Sequence, residues 1–470
     1  MTTHSLIADE ALTAGIARML AAVARPGQTI LLDGPVGAGK THFARAFIRA
    51  RQGDLAEDVP SPTFTLVQTY DDPMGTEIWH ADLYRLTDPS ELDELGLDEA
   101  QENAICLIEW PDRLEALPDD ALTVAIRPVD DPDRREITLI GTGAERLLDL
   151  ARFIAGTDWG GARVLPLAGD ASARRYFRLS GPAGRAVLMD DPAGDVGRFV
   201  AMTDWLQGQG FGAPAIFARD MEAGFLLLED LGDDLIARVL ERIPDMARPV
   251  YDRITDFLVE LQRRQVPDFV PALDGPEMAR QVGLFAEWYP QAAGASPKGA
   301  AGIAAVIERL HAELAADVAP VLSLRDFHAE NVIWRGDAPL GLIDYQDAVS
   351  CHPAYDLVSV LQDTRREVSA EFEAEYIARY LAQTGMDEDR FRAAYALMGA
   401  QRNLRVIGIF TRLCIRDGKP RYGAFMPHVW GYVLRSVSHP ALGPLAAIIR
   451  ELPAPDGTVI ERIRSQCAQP

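Results

Sequence analysis

The sequence predicts two domains of different class: an α/β domain over residues 1–156, then an α+β domain over residues 157–470 with a strand-rich small lobe (about 157–232) and a helical large lobe (about 233–470). Three observations predict this. The chain has 470 residues, 48% of them hydrophobic, which is more than one core usually organises. Its first third alternates short apolar runs with helical stretches, beginning with Thr29 to Leu32 and the glycine turn that follows, the mark of βα units. After Gly156 and Gly160-Gly161 the pattern restarts with short strands, and from Leu235 helical periodicity takes over.

Each element follows from its residues. Thr29 to Leu32, Thr63 to Tyr70, Glu77 to Asp82, Ile105 to Glu109, Leu122 to Ile126 and Glu136 to Ile140 are apolar or alternating runs bounded by turn residues, and are expected as strands. Ser90 to Ala100 and Ala144 to Ile154 carry helical spacing, the second running into Gly156. Beyond the boundary, strands are expected at Val164 to Leu167, Arg175 to Leu179, Arg185 to Met189 and Gly224 to Leu228, with a helix over about Val196 to Gln207. Two short apolar runs, Val321 to Leu324 and Leu340 to Ile343, interrupt the helical lobe.

Composition excludes several classes. Charged residues make up 25% of an otherwise ordinary globular mixture, which rules out a disordered chain or a fibre. No stretch reaches the roughly 20 apolar residues of a membrane helix. Met1 to Leu20 has no basic start followed by an apolar run, so a cytoplasmic protein is expected. Cys106, Cys351, Cys414 and Cys467 form no CxxC pair, so neither a disulfide framework nor a zinc site is expected. Forty-six basic against 70 acidic residues leave a net charge of −24, and residues 1–150 alone hold 12 basic and 28 acidic ones. Such a surface disfavours direct non-specific contact with nucleic acid and suits docking on proteins. Only three lysines occur: Lys40, Lys298 and Lys419.

Lys40 lies in Gly34-Pro35-Val36-Gly37-Ala38-Gly39-Lys40-Thr41, which fits G-x-x-x-x-G-K-[ST] between an expected strand and an expected helix. The glycines let backbone N–H groups around Gly34, Gly37, Ala38 and Gly39 turn inward on a phosphate, with the helix N-terminus behind them. Lys40 would contact the β and γ phosphates, and the Thr41 hydroxyl would ligate Mg²⁺. Asp82 and Glu109 close neighbouring apolar runs, where an acid tends to face a cleft.

Together with Ser61-Pro62-Thr63-Phe64-Thr65-Leu66-Val67, His80-Ala81-Asp82-Leu83-Tyr84-Arg85-Leu86 and Ile108-Glu109-Trp110-Pro111, the loop resembles the TsaE family in order and spacing over nearly all of residues 1–150. That family is the P-loop ATPase subunit of the bacterial machinery for N6-threonylcarbamoyladenosine at position 37 of tRNA. The resemblance implies a P-loop NTPase fold, ATP, Mg²⁺ held by Thr41 and Asp82, hydrolysis served by Glu109, and a switch-like loop at Ser61 to Thr65. It also implies partners among the other subunits of the complex, with tRNA contact only indirect. His80 is expected to orient or pack, and Trp110 to serve either a core or an interface or the site itself.

The helical lobe holds a second set of phosphate chemistry. Asp326 and Asn331 stand five positions apart, and Ile343-Asp344-Tyr345-Gln346-Asp347 follows. Phosphoryl transfer to a hydroxyl needs a carboxylate for the attacking O–H and two oxygen ligands for Mg²⁺: Asp326 as base, Asn331 and Asp344 as ligands. The segment resembles aminoglycoside phosphotransferase and choline kinase-like enzymes, with Leu324-Arg325-Asp326 where those have His-Gly-Asp. The resemblance implies a protein-kinase-like two-lobed fold, a structural role for Asp356, and an adenine-binding hinge at Phe225 to Gly232 that includes Glu229 and Leu231. The lysine such folds place on the third strand is missing from Val187 to Asp190. Gly169 to Phe177, with Ser172, Arg174 and Arg175, resembles the branch of anomeric kinases for N-acetylmuramate and N-acetylglucosamine in cell-wall recycling, in which that lysine is also absent. Arg174, Arg175 or Arg178 is expected to replace it. Gln401 to Arg412 also resembles that branch, so Arg402, Asn403 and Arg405 are candidates for the acceptor pocket; a solvated helix face is the plain alternative.

The expectation is a bifunctional ATPase and amino-sugar kinase using ATP and Mg²⁺. Its alternatives are a nucleotide-dependent assembly switch joined to a non-catalytic pseudokinase, or a kinase for another small hydroxyl substrate such as an aminoglycoside or choline.

Overall fold

A computed structural model describes residues 3–56, 58–86, 96–167 and 173–467. In the first third, β1 (Thr3–Ala8), α1 (Glu10–Val23), β2 (Thr29–Asp33), α2 (Lys40–Gln52), β3 (Val67–Asp71), β4 (Glu77–Asp82), α3 (Leu97–Asn103), β5 (Ile105–Glu109), β6 (Leu122–Pro128), β7 (Arg135–Ile140) and α4 (Ala144–Ala155) build one seven-stranded sheet of order β1-β7-β6-β2-β5-β4-β3. Its centre is parallel, with β2 between β5 and β6 and β4 beside β5; β3, β7 and β1 add antiparallel edges. Both faces are covered: Leu32, Phe43, Phe47 and Leu107 pack on one side, and Leu31, Ala81, Cys106 and Ile108 on the other. That explains why β2 and β5 read as unbroken apolar runs rather than alternating ones.

The segment expected as a strand from Thr63 is a turn as far as Leu66, and β3 starts only at Val67. Leu66 has φ 65° and its N–H is bonded to the Pro62 carbonyl at 2.7 Å. The first two residues of the expected Ser90 to Ala100 helix and those up to residue 95 lie outside the described residues; α3 begins at Leu97.

The small lobe is a five-stranded antiparallel sheet of order β11-β12-β10-β9-β8, made of β8 (Arg163–Leu167), β9 (Arg175–Gly181), β10 (Gly184–Asp190), β11 (Ile216–Asp220) and β12 (Phe225–Glu229). By compactness the chain divides into residues 1–197 with 215–230, and residues 198–214 with 231–470. The small lobe's strands therefore share a unit with the P-loop sheet. Trp159, Val164, Phe177, Leu188 and Phe225 belong to the same buried cluster as Ile16, Phe47 and Ile154.

Polar contacts reinforce this junction. Arg146 on α4 donates from Nε to Asp190 Oδ1 at 2.8 Å and from Nη1 to the Ala223 carbonyl at 2.6 Å, and its guanidinium lies 4.1 Å from the Phe225 ring centre. Arg175 donates to the other Asp190 oxygen at 2.7 Å, and Asp190 has no solvent exposure. Arg18 on α1 reaches the Gly160 carbonyl at 2.8 Å.

The second unit holds α5 (Gly197–Gly208, from its second residue), α6 (Ile236–Arg242), α7 (Ala247–Leu261), α8 (Gly275–Ala292), α9 (Ile303–Leu314), α10 (Ala354–Leu361), α11 (Ala370–Thr384), α12 (Glu388–Ile415) and α13 (Met426–Val437). The 28-residue α12 starts at an Asp387 cap, whose carboxylate accepts the Arg390 N–H at 2.9 Å. It is buried on nearly every side from Phe391 to Cys414, polar Gln401, Arg402 and Asn403 included, and forms the axis against which α8, α10 and α13 pack. Two short ribbons interrupt the helices: β13 (Val321–Ser323) pairs with β16 (Val349–Cys351), and β14 (Val332–Ile333) with β15 (Gly341–Leu342). No helix among the described residues is long and apolar enough to cross a membrane.

Removing one partner of a buried ion pair leaves a charge without full compensation, at a cost of about 3 kcal/mol. Arg146→Met should therefore destabilise the first unit by about that amount, bringing its urea transition to lower concentration in the full-length chain. A curve that superimposes on the parent's contradicts this reading of the junction.

Candidate active sites

The first site lies at the carboxyl ends of β2, β4 and β5, where parallel α/β sheets place ligands. Gly37 (φ 77°) and Gly39 (φ 108°) occupy left-handed backbone that lets the loop curl into α2, which begins at Lys40. Lys40 is buried; its Nζ donates to the carbonyls of Gly34 at 2.7 Å and Pro35 at 3.1 Å and lies 3.6 Å from the centre of the Trp110 ring. Burial lowers the Lys40 pKa, while Glu109, Asp82 and Asp33 pull it back up. Trp110, at φ 62°, also packs on Tyr84 with ring centres 5.1 Å apart. The tryptophan thus touches the phosphate-loop lysine itself.

Asp82 and Glu109 are register partners on β4 and β5, and both are buried. Their contacts differ. Glu109 Oε1 accepts the Thr41 hydroxyl at 2.8 Å and lies 3.0 Å from His80 Nε2, on a histidine with no exposure. Asp82 Oδ2 accepts the Thr63 hydroxyl at 2.6 Å and the Ser61 hydroxyl at 3.1 Å, and Oδ1 accepts the Tyr84 N–H at 3.1 Å. Glu109 thus belongs with the P-loop threonine, and Asp82 with the Ser61 to Thr65 loop. Phe64, at the tip of that loop, is 83% exposed and lies under the Arg85 guanidinium.

The second site is formed by the loop after β13 and the turn after β15. Asn331 Nδ2 donates to the Asp326 carbonyl at 2.9 Å and to Asp344 Oδ2 at 3.4 Å, and the Ile343 N–H donates to the Asn331 carbonyl at 3.1 Å. Arg325 (φ 70°) and Asp344 (φ 58°) both take left-handed backbone, a strained choice for such residues that surrounding contacts must hold. For Asp344, Gln346 Nε2 donates to Oδ1 at 2.9 Å; for Arg325, the Ser359 hydroxyl donates to its carbonyl at 3.1 Å.

Both sets fit a magnesium ion in donor type, offering hard oxygens: the Thr41 hydroxyl and the Glu109 carboxylate in one, the Asn331 amide and the Asp344 carboxylate in the other. Among the described residues no group of three or more His, Cys, Asp or Glu is placed to hold a metal, as suits an ion that keeps waters and substrate phosphates among its ligands.

Residues 7–137 match the family model for threonylcarbamoyl adenosine biosynthesis protein TsaE, and residues 163–393 that of the phosphotransferase enzyme family. The chain is similar to the tRNA threonylcarbamoyladenosine biosynthesis protein TsaE of Rickettsia bellii, 38% identical over 135 residues that make up 28% of this chain and 92% of that protein. It is also similar to the N-acetylmuramate/N-acetylglucosamine kinase of Caulobacter vibrioides, 38% identical over 349 residues, 65% of this chain and 96% of that protein. The corresponding kinase of Pseudomonas aeruginosa is 33% identical over 321 residues, 65% of this chain and 94% of that protein. This chain joins a TsaE family member to a member of the N-acetylmuramate/N-acetylglucosamine kinase family.

Within the kinase half, Asp356 holds the loop that carries Asp326. It sits on α10 without solvent exposure; its Oδ1 accepts the Ser323 hydroxyl at 2.6 Å and the Arg325 N–H at 3.0 Å, and its Oδ2 accepts the Leu324 N–H at 2.7 Å. Burial pushes its pKa up to about 6, against the pull of those three donors. Burial also raises that of Asp326, but the guanidiniums of Arg405 and Arg402 and then His328 and Arg325 outweigh it, and the Asp326 carboxyl stands below the ordinary value.

Other expected residues are placed differently. Arg174 donates to Asp191 at 2.9 Å, Arg175 to Asp190, and Arg178 Nη2 to Asp230 at 3.1 Å. Each guanidinium expected to replace the kinase lysine is thus engaged by an aspartate. Ser172 lies outside the described residues. The Glu229 N–H is bonded to the Ala215 carbonyl at 2.8 Å and its carboxylate accepts the Ala215 N–H at 3.2 Å, so its side chain closes the end of β12; Leu231 opens the second unit's larger segment. Asn403 donates to Gln362 Oε1 at 2.6 Å, and Gln362 in turn donates to Glu373 at 2.7 Å. That network belongs to the interior of the helical lobe, whereas Arg402 and Arg405 act on Asp326. Nothing in the local sequence distinguishes Asn403 from its neighbours; the helical phase does.

The raised pKa of Asp356 sets a direction with pH. Its contribution to stability is complete below the ordinary carboxylate value of about 4 and is lost as pH rises through about 6. Ionised Asp356 is therefore carried at a stability cost, but only the ionised form accepts all three loop donors. Phosphotransfer should fall on an acid limb near pH 6, and Asp356→Asn, which turns one acceptor into a donor, should lower kcat by about 10- to 100-fold. A rate that stays flat down to pH 4.5 would contradict this.

Proposed function

We propose that the chain is a bifunctional enzyme: an ATPase serving threonylcarbamoyl modification of tRNA, joined to an ATP-dependent kinase for the anomeric hydroxyl of an amino sugar of the N-acetylmuramate and N-acetylglucosamine class. The observation that supports the reading is that each half keeps its acids and oxygen donors together: Lys40, Thr41, Asp82 and Glu109 in one, Asp326, Asn331 and Asp344 in the other. A pseudokinase has no need to keep the second set in register.

In the ATPase half the loop amides at the start of α2 receive the phosphates, and Lys40 exchanges the Gly34 and Pro35 carbonyls for phosphate oxygens. The Thr41 hydroxyl on Glu109 and the Ser61 and Thr63 hydroxyls on Asp82 support reading Thr41 and Glu109 as the residues that would hold the cation and Asp82 as the one that would orient the attacking water, the reverse of the roles that the family resemblance suggested for the two acids. Asp82 already organises two hydroxyls of the Ser61 to Thr65 loop, so it can orient a water and sense the γ-phosphate together. His80 fixes the rotamer of Glu109. The strongly acidic first domain and the exposed Phe64 suit contact with the other protein subunits of the modification machinery rather than with tRNA directly.

In the kinase half, Asp326 accepts the proton of the sugar hydroxyl as its oxygen attacks the γ-phosphorus and the bond to the ADP oxygen breaks. Asn331 and Asp344 would hold the magnesium ion, which would supply charge neutralisation at the phosphates. The lowered pKa of Asp326 keeps it ionised and ready to receive that proton.

Two variants of the full-length protein test the assignment. Asp326→Asn should reduce sugar phosphorylation, followed by phosphorus NMR of the anomeric product, by about 10²- to 10⁴-fold and leave the N-terminal ATPase at its parent rate. Glu109→Gln should reduce ATP hydrolysis without sugar by about 10²-fold or more and leave the kinase intact. Retained sugar phosphorylation in the first variant, or retained hydrolysis in the second, would overturn the corresponding half of the assignment.

A further inference from the structure

Beside the Asp326 carboxylate lies a buried arginine whose charge is only partly met by the structure. Arg402 is only 3% exposed, and its Nη1 is buried with no hydrogen-bond partner. An arginine keeps its charge at every accessible pH, so it cannot escape burial by losing a proton. Arg405 is three residues further along α12 and so shares the face of Arg402. The fields of both guanidiniums act on Asp326 and on Tyr355 of α10, and that of Arg402 also acts on His328. The Tyr355 hydroxyl and His328 Nδ1 are likewise buried without partners. One region beside the base therefore holds two guanidiniums and further unpartnered polar atoms, with Asp326 as the carboxylate that both guanidiniums act on and the buried Asp363 as a second acid that acts on His328. Asp326 is itself needed for the acceptor's proton, so it is not free to serve as the permanent counter-ion.

We propose that Arg402 and Arg405 form an acceptor subsite for a carboxylate, and that the kinase thereby selects a sugar acid of the N-acetylmuramate class over the neutral N-acetylglucosamine. This rests on the kinase reading given above. N-acetylmuramate differs from N-acetylglucosamine by a lactyl ether that ends in a carboxylate, the planar two-oxygen anion that a guanidinium fork binds with two parallel hydrogen bonds. Burial of Arg402 keeps water away from that contact and strengthens it. The transferring phosphoryl group is the other anion nearby, and it is common to both sugars. A role on phosphate would affect both equally, whereas a role on the lactyl carboxylate changes their ratio.

The test uses the full-length protein with ATP, Mg²⁺ and each sugar, comparing kcat/KM at a pH where Asp326 and Asp356 are both ionised. In the parent, the ratio of N-acetylmuramate to N-acetylglucosamine should lie well above one. In Arg402→Met it should fall on the order of 100-fold. Arg405→Gln, at a half-buried position that folding depends on less, should lower it by about 10-fold. Arg402→Lys, which keeps the charge and loses the fork, should fall between the parent and Arg402→Met. A ratio unchanged in both Arg402→Met and Arg405→Gln, with both sugars slowed alike, would overturn the carboxylate subsite and move the arginines to the phosphoryl group. Absence of phosphorylation of either sugar by the parent protein would instead sink the kinase reading itself, so the two failures are distinguishable.

Discussion

A carboxylate repels a phosphate, yet both sites are built from carboxylates. Asp82 and Glu109 stand side by side at the ends of β4 and β5, and Asp344 lies beside Asn331 a short loop away from Asp326. In a chain of net charge −24, a polyphosphate can enter such places only where cations cancel the repulsion. This constraint orders much of what surrounds each site. It accounts for Lys40 buried against the loop carbonyls, for the hydroxyl of Thr41 set on Glu109, and for the guanidiniums of Arg402 and Arg405 close enough to lower the pKa of Asp326. A magnesium ion would complete the cancellation, and the neutral oxygen donors Thr41 and Asn331 that sit beside the acids suit one.

Holding like charges in place requires a rigid support, and the two halves supply it differently. In the P-loop domain the support is the parallel sheet, whose register places Asp82 opposite Glu109 whatever their side chains prefer. Among the described residues of the helical lobe the sheets are two-stranded ribbons only. A single buried carboxylate, Asp356, gathers the Ser323 hydroxyl and two backbone N–H groups so that the strained turn at Arg325 presents Asp326. A buried acid with three donors is costly when ionised and ineffective when protonated. The loop is therefore tied to pH.

Much of this was legible in the sequence. The unbroken apolar runs of β2 and β5, the glycine loop between them and the spacing from Asp326 to Asn331 and Asp344 pointed to the two clusters that the fold brings together, because backbone chemistry and metal ligation impose fixed spacing. What escaped depended on neighbours distant in sequence. The edge strands β1 and β11 have few fully buried positions, and β11 contains a register shift, so neither shows a clean alternation. Thr63 to Leu66 alternates like a strand but turns, because Asp82 takes the Thr63 hydroxyl and Pro62 the Leu66 N–H. Which of the two acids faces Thr41 is set by sheet geometry that no local pattern encodes.

The junction between the ATPase sheet and the small lobe was the least legible feature of all. Arg146 reads as an ordinary polar position on an amphipathic helix; its partner Asp190 lies 44 residues further on, at the end of the strand on which related folds carry a phosphate-binding lysine. Here that end carries two acids, Asp190 and Asp191, and the small-lobe arginines are drawn to them. Asp190, with no solvent exposure, is paired with two guanidiniums, Arg175 and Arg146, and the second comes from the ATPase domain. The buried cluster around Ile154, Phe177 and Phe225 continues across the same line. The two families thus meet in a shared core with a shared counter-ion, and the small lobe's buried cluster is completed by residues on both sides of the sequence boundary at residue 156. Cutting there would expose Phe225 and leave Asp190 with Arg175 alone. The ATPase domain is on this argument part of the folding unit of the kinase's small lobe.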